Sequence, residues 1–271
     1  MRNGEGRVAD GAGRVSLTDT LDRAPLTGVL RFGMRYLLTV GVAGWLFLLW
    51  YKTWFALRLV KEDSLTEWMA FFLLVVSMVL WAWAAVRWPR GLGLTRVALA
   101  ILALSGFVLA MEEISWGQRV LGFETPAGYA EINVQNETSL HNLEGLQRVR
   151  HLALVVFGVA GLVVIGDRKC GGWITRWFGF VRDLSPPVWF WHAFFWVMLT
   201  GVVTELTEWR ILYRDDEPAR LYRFYAGRFT EIGELIVAIA AVSHAWLACS
   251  AVRRNGWGGR REMLREAMVA D

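Results

Sequence analysis

The chain has 271 residues, of which 55% are hydrophobic and 20% charged, with 16 Trp and 15 Phe. A mean hydropathy of +0.35 excludes a soluble domain of ordinary composition and points to a polytopic membrane protein. The formal net charge of +4 gives no reason to expect a nucleic-acid partner, because the basic residues are spread through short loops and tails instead of being gathered on one surface.

Residues 1–34 contain Gly, Arg and Asp without apolar periodicity and read as a disordered cytoplasmic tail. They do not read as a cleaved signal, since the polar stretch is long and no small-residue cleavage site precedes a mature domain. Between residues 35 and 252, six segments are apolar enough to cross a bilayer, which takes about 20 residues of helix. They are 36–57, 68–88, 94–112, 152–165, 188–204 and 232–252. The fourth is the shortest, and it reaches membrane length only by taking in Val149 and His151. The expected fold class is all-α, a polytopic transmembrane helical bundle of about six spans with a structured outer loop. Residues 253–271 form a basic cytoplasmic tail.

Positive residues are retained on the cytoplasmic side. The two tails and the alternate loops that would lie with them hold 18 of the 29 Lys and Arg, whereas 16 of the 25 acids fall on the opposite side. Both ends are therefore expected inside a bacterial cytoplasmic (inner) membrane. Cys170 falls in an inner loop and Cys249 near the inner end of the last segment, so no disulfide is expected on that reducing side.

Two outer loops, about 113–150 and 209–230, are long enough to carry function. The first interleaves Phe, Tyr, Ile, Val and Leu with polar residues, which suits a formed cap. It begins in "MEEISWGQR" (111–119), where an uncharged apolar run ends in two carboxylates, a hydroxyl, an indole and a guanidinium. "EEISWGQR", followed by "FETP", "EINVQNET" and "LHNLE", resembles a signature of uncharacterised bacterial integral membrane proteins. The likeness covers residues 112–144, about an eighth of the chain, and it implies a bacterial inner-membrane location without an activity, ligand or site residue.

If the third helix runs two turns past Glu112, then Glu112, Ser115, Trp116 and Arg119 share a polar stripe, with Glu113 about 100° away. An acid at that depth is a functional candidate. Glu205 and Glu208 stand three apart at the outer end of the fifth segment, and Glu231 and Glu234 three apart at the outer start of the sixth. Six carboxylates at one level need protons, arginines such as Arg119, Arg148 and Arg150, or a cation. With His141 and His151 on the same side, the donor set suits a divalent transition metal. The candidate catalytic residues are Glu112, Glu113 and His141. The candidate ligand-binding residues are Ser115, Trp116, Gln118, Arg119, Asn133, Asn136, Glu137 and Asn142, and the candidate metal ligands are Glu112, Glu205, Glu208, Glu231, Glu234 and His141. The structural alternative is that these glutamates answer helix dipoles or pair with arginine. His192 and His244, deep in the last two segments, read as packing residues.

No phosphate-binding loop, dinucleotide fingerprint, HExxH, GxSxG or CxxC occurs. The Glu-Glu pair differs from that of the CAAX-protease-like membrane peptidases, in which Arg follows four residues later, since Arg119 follows Glu113 by six. Two readings remain open. The chain is a non-enzymatic membrane component, in transport or assembly, whose outward polar Glu/His/Arg pocket binds a ligand or partner. Alternatively it is a metal-assisted hydrolase or transferase acting on a lipid-linked substrate at the outer leaflet. The expected partners are membrane lipids and a lipid-linked or small polar ligand, with a divalent cation as the cofactor to be tested.

Overall fold

A computed structural model describes residues 25–33, 36, 38–43, 65–89, 92–133, 137–143, 146–212 and 229–253. Most of both expected tails, most of the first expected span and the greater part of the second outer loop lie outside the described residues. Among those described, the chain is helical and forms no strand, with a single isolated bridge between Asn133 and Leu143.

Five long helices organise the described residues: α1 (Leu65–Arg87), α2 (Gly93–Glu113), α3 (Leu146–Lys169), α4 (Trp191–Leu212) and α5 (Phe229–Arg253). α1 packs on α2, and α3 packs on α4. Four of the five, α1, α2, α3 from Val149 onward and α5, are long and apolar enough to cross a membrane. α4 has the length, at 22 residues, but His192, Glu205 and Glu208 dilute its apolar character. The surface carries the same message. Phe72, Val76 and Val79 of α1, Val97, Ile101 and Leu104 of α2, and Val156, Val159 and Val163 of α3 are all exposed. Stripes of that kind would be a liability in water and are ordinary against hydrocarbon. The architecture is that of a multi-pass membrane protein.

Lipid removes the hydrophobic drive between helices, so close packing of small residues must hold them together. A methyl added at Gly158 of α3 would stand 2.6 Å from Met198, and one at Gly161 would stand 2.2 Å from the Phe194 ring. One added at Gly201 of α4 would meet the His151 carbonyl at 2.8 Å, and one at Gly233 of α5 the Thr200 hydroxyl at 2.6 Å. Glycine thus sets the distance between α3, α4 and α5. α5 is the central element: 61% of its apolar window is buried, against 28% for each of the other three. Alanine is the commonest residue of its buried face, at Ala238, Ala240, Ala245, Ala248 and Ala251.

One polar contact locks α5 in rotation. Trp81 Nε1 of α1 donates to His244 Nδ1 at 3.0 Å, and His244 Nε2 stands 2.8 Å from the Leu184 carbonyl. The indole can only donate, so Nδ1 is the acceptor and Nε2 carries the proton. The expected packing role of His244 is thus given a geometry, a neutral ring joining three segments.

Candidate functional site

The third helix does not continue past Glu112 for two turns. α2 ends at Glu113, and a 3₁₀ turn follows over Ser115–Gly117. In it Ser115 (φ 50°), Trp116 (φ 55°) and Gly117 (φ 88°) are all left-handed. Only the glycine adopts that region freely, and the other two hold it at a cost of order 1–3 kcal/mol each. The turn breaks the stripe of Glu112, Ser115, Trp116 and Arg119 that continuous helical periodicity would give.

Side chains recovered from that break secure it. Trp116 Nε1 turns back to donate to Glu112 Oε1, and its ring meets Phe107 edge-on at 6.5 Å. Ser115 Oγ donates to Glu137 Oε2 at 2.7 Å. Gln118 joins two parts of the loop: its Oε1 accepts the Thr138 N–H at 2.8 Å and its Nε2 donates to Thr125 Oγ1 at 2.8 Å. The Thr138 hydroxyl donates to the Ser115 carbonyl. Asn133 Nδ2 donates to the Ser139 carbonyl at 2.9 Å while its Oδ1 accepts the Glu137 N–H at 3.1 Å. Asn142 Nδ2 donates to Ser139 Oγ at 2.8 Å. Ser115, Asn133, Ser139 and Asn142 are buried, so the loop is a folded cap with its own polar interior, as its mixed composition suggested.

Glu112 is the hub. Its Oε2 accepts the backbone N–H of Leu140 at 2.8 Å and of His141 at 3.0 Å, and His141 Nδ1 lies 3.0 Å from the same oxygen. Relative exposure is 11% for the Glu112 side chain and 26% for His141, so the pair is mostly sheltered with the imidazole the more open member. A carboxylate can only accept, so Nδ1 carries the proton of the contact, and Nε2 remains as the basic nitrogen. The field of Glu112 reaches further into the cap. Burial first and the Glu112 carboxylate second push the Tyr129 phenol above its ordinary pKa, and that phenol donates to the Ser139 carbonyl at 3.2 Å.

Glu113 faces a different group. It shares its surroundings with Glu234, Glu231, Glu67 and Arg150. Arg150 Nη1 stands 3.5 Å from Glu234 Oε1, and its Nη2 donates to Thr230 Oγ1 at 3.4 Å. Beside it on α3, His151 Nδ1 stands 3.9 Å from Glu205 Oε2 of α4. Glu67, buried at 8% exposure, belongs to this group, and as an acid just ahead of the apolar run 68–88 it carried no signal in the sequence.

The carboxylates expected at one common site are therefore divided. Glu112 and His141 belong to the cap, Glu234 pairs with Arg150 while Glu113 lies in the field of Glu234, Glu231, Glu67 and Arg150, and Glu205 stands beside His151. Consecutive residues on a helix diverge by about 100°, so Glu112 and Glu113 cannot both face α5. The side chains of Glu208 and Arg119, and all of Asn136, lie outside the described residues. Among those described, no group of three or more His, Cys, Asp or Glu is placed to hold a metal ion. Of the expected ligand set, Glu112, Glu205, Glu231, Glu234 and His141 lie among the described residues and form no such group there; Glu112 instead accepts backbone N–H groups of the cap, and Glu234 pairs with Arg150. No family model matches the chain, and neither a curated protein nor a solved structure does.

Proposed function

We propose that this protein is a bacterial inner-membrane component of about six spans whose outward cap binds a small polar or lipid-linked ligand, or the polar part of an assembly partner. The observation that carries the reading is the fixing of His141 by Glu112. A carboxylate at the end of an apolar helix spends its acceptors on orienting one imidazole and the backbone around it, leaving Nε2 available at a partly open position. Binding sites are built in this way, from a few polar groups held in place by a rigid surround. The resemblance of "EEISWGQR" and the following loop to bacterial integral membrane proteins agrees with the location, and the distribution of Lys and Arg supports cytoplasmic ends.

A second reading rests on the same contact. An imidazole oriented through Nδ1 by a carboxylate is the usual form of a general base, and a hydrolase or transferase acting on a lipid-linked substrate would use His141 Nε2 to take a proton from water or a hydroxyl. The described residues do not fit a divalent cation, so no step is routed through one.

Mass spectrometry of protein purified in mild detergent, with identification of every co-purifying lipid or polar species, tests the binding reading. A defined species should accompany the unaltered protein and Glu131→Gln, which changes an exposed acid. It should be lost from Glu112→Gln and His141→Ala. Equal retention by all four proteins, or no species on any, would sink the reading.

A further inference from the structure

At the opposite end of α3 from the cap, the chain makes two short helices, Trp173–Trp177 and Gly179–Leu184. The first is tied down. Asp167, in the last turn of α3, accepts the N–H of Ile174 at 2.8 Å and of Thr175 at 3.1 Å, and Thr175 Oγ1 donates to the Gly172 carbonyl at 3.1 Å. Thr175, Asp183 and Leu184 are buried on the inner side, where Thr95 Oγ1 donates to Asp183 Oδ2 at 2.9 Å. Opposite Thr175, Trp173 and Trp177 are one helical turn apart on a single face. They are 69% and 73% exposed, and Phe178 beside them is 52% exposed.

Charge completes the pattern. Both acids of the segment are engaged within the protein, the half-buried Asp167 by backbone N–H groups and the buried Asp183 by Thr95, whereas Lys169 and Arg176 are exposed. The outward face is therefore aromatic and cationic, and it is fixed to the end of a helix apolar enough to span a bilayer. Indole rings settle at headgroup depth, and cations beside them are attracted to anionic lipid. We propose that the face formed by Trp173, Arg176, Trp177 and Phe178 seats this end of the protein in the headgroup layer of an anionic leaflet, acting as a lipid-selective anchor for the α3–α4 pair.

The chain itself supplies the reporter, since of its two cysteines Cys170 is exposed and Cys249 buried. The full protein, spin-labelled at Cys170, is placed in nanodiscs of phosphatidylcholine alone or of phosphatidylcholine with phosphatidylglycerol. Access of the label to oxygen and to a water-soluble nickel chelate is then measured. The anionic bilayer should raise oxygen access and lower chelate access relative to the neutral one. Trp173→Ala with Trp177→Ala should abolish the difference. Arg176→Gln, a change at an exposed side chain, keeps the test valid if the tryptophan pair fails to fold, and it should lower the docked-to-undocked ratio about fivefold, the effect of one cation near an anionic surface. Equal chelate access in the two bilayers overturns the proposal. So does spin–spin broadening that grows with protein per disc, because a second copy would then cover the face.

Discussion

Glu112 carries more of the cap than any other side chain, and its removal gives a measurable consequence. It accepts from Trp116, Leu140 and His141, and hydrogen bonds to a charged group contribute about 1.5–3 kcal/mol each. Glu112→Gln should therefore raise amide exchange at Leu140 and His141 roughly tenfold or more, whereas Glu131→Gln should leave it unchanged. Equal exchange in the two variants would show that the loop holds itself without the carboxylate. The importance of Glu112 was legible in the sequence, because an acid next to hydrocarbon needs a reason. Its partners were only half legible: His141 could be named, but not the Leu140 N–H or the return of Trp116. Ser115 and Trp116 are residue types that rarely take positive φ, so nothing short of the fold reveals that the helix stops there. Nor does the sequence decide which of Glu112 and Glu113 faces α5, since that rotation is set by how Gly106 and Ala110 pack against their neighbours.

Among the elements, α3 and α4 make the contact most sensitive to volume. Gly161→Ala would place a methyl inside the Phe194 ring, and overpacking of this kind costs about 1–3 kcal/mol. Gly166→Ala on the same helix meets nothing within 4 Å and should be neutral or stabilising. Thermal unfolding of the two variants in one detergent checks the contrast, and equal midpoints would contradict the glycine-set crossing. Three spans were placed within a few residues by their apolar runs: 68–88 became Leu65–Arg87, 94–112 became Gly93–Glu113, and 232–252 became Phe229–Arg253. The fourth was underestimated. Leu146–Lys169 carries Gln147, Arg148, Arg150 and His151 within its first turns, and a helix persists through polar residues that find partners, as Arg150 does in Glu234 and Thr230. Hydropathy reports where lipid is tolerated and says little about where a helix ends.

For the whole molecule, the division of basic and acidic residues predicts its orientation. Reporter fusions after Arg90 and Asp183 should read cytoplasmic, and those near Gly128 and Asp216 should read periplasmic. A cytoplasmic reading at Gly128 would place the cap on the wrong side for an outward site. The same layout has a consequence for biosynthesis. α5 is the most buried long helix and also the last of them to leave the ribosome. Until it arrives, the earlier helices have neither the alanine face that fills their centre nor the Thr230 and Glu234 that meet Arg150. Glu67 and Glu113 must meanwhile wait in a half-built bundle. A nascent chain stalled before residue 229 would thus show the membrane an open seam lined with charge. A quality-control protease could recognise that seam, and insertion of the final helix would conceal it.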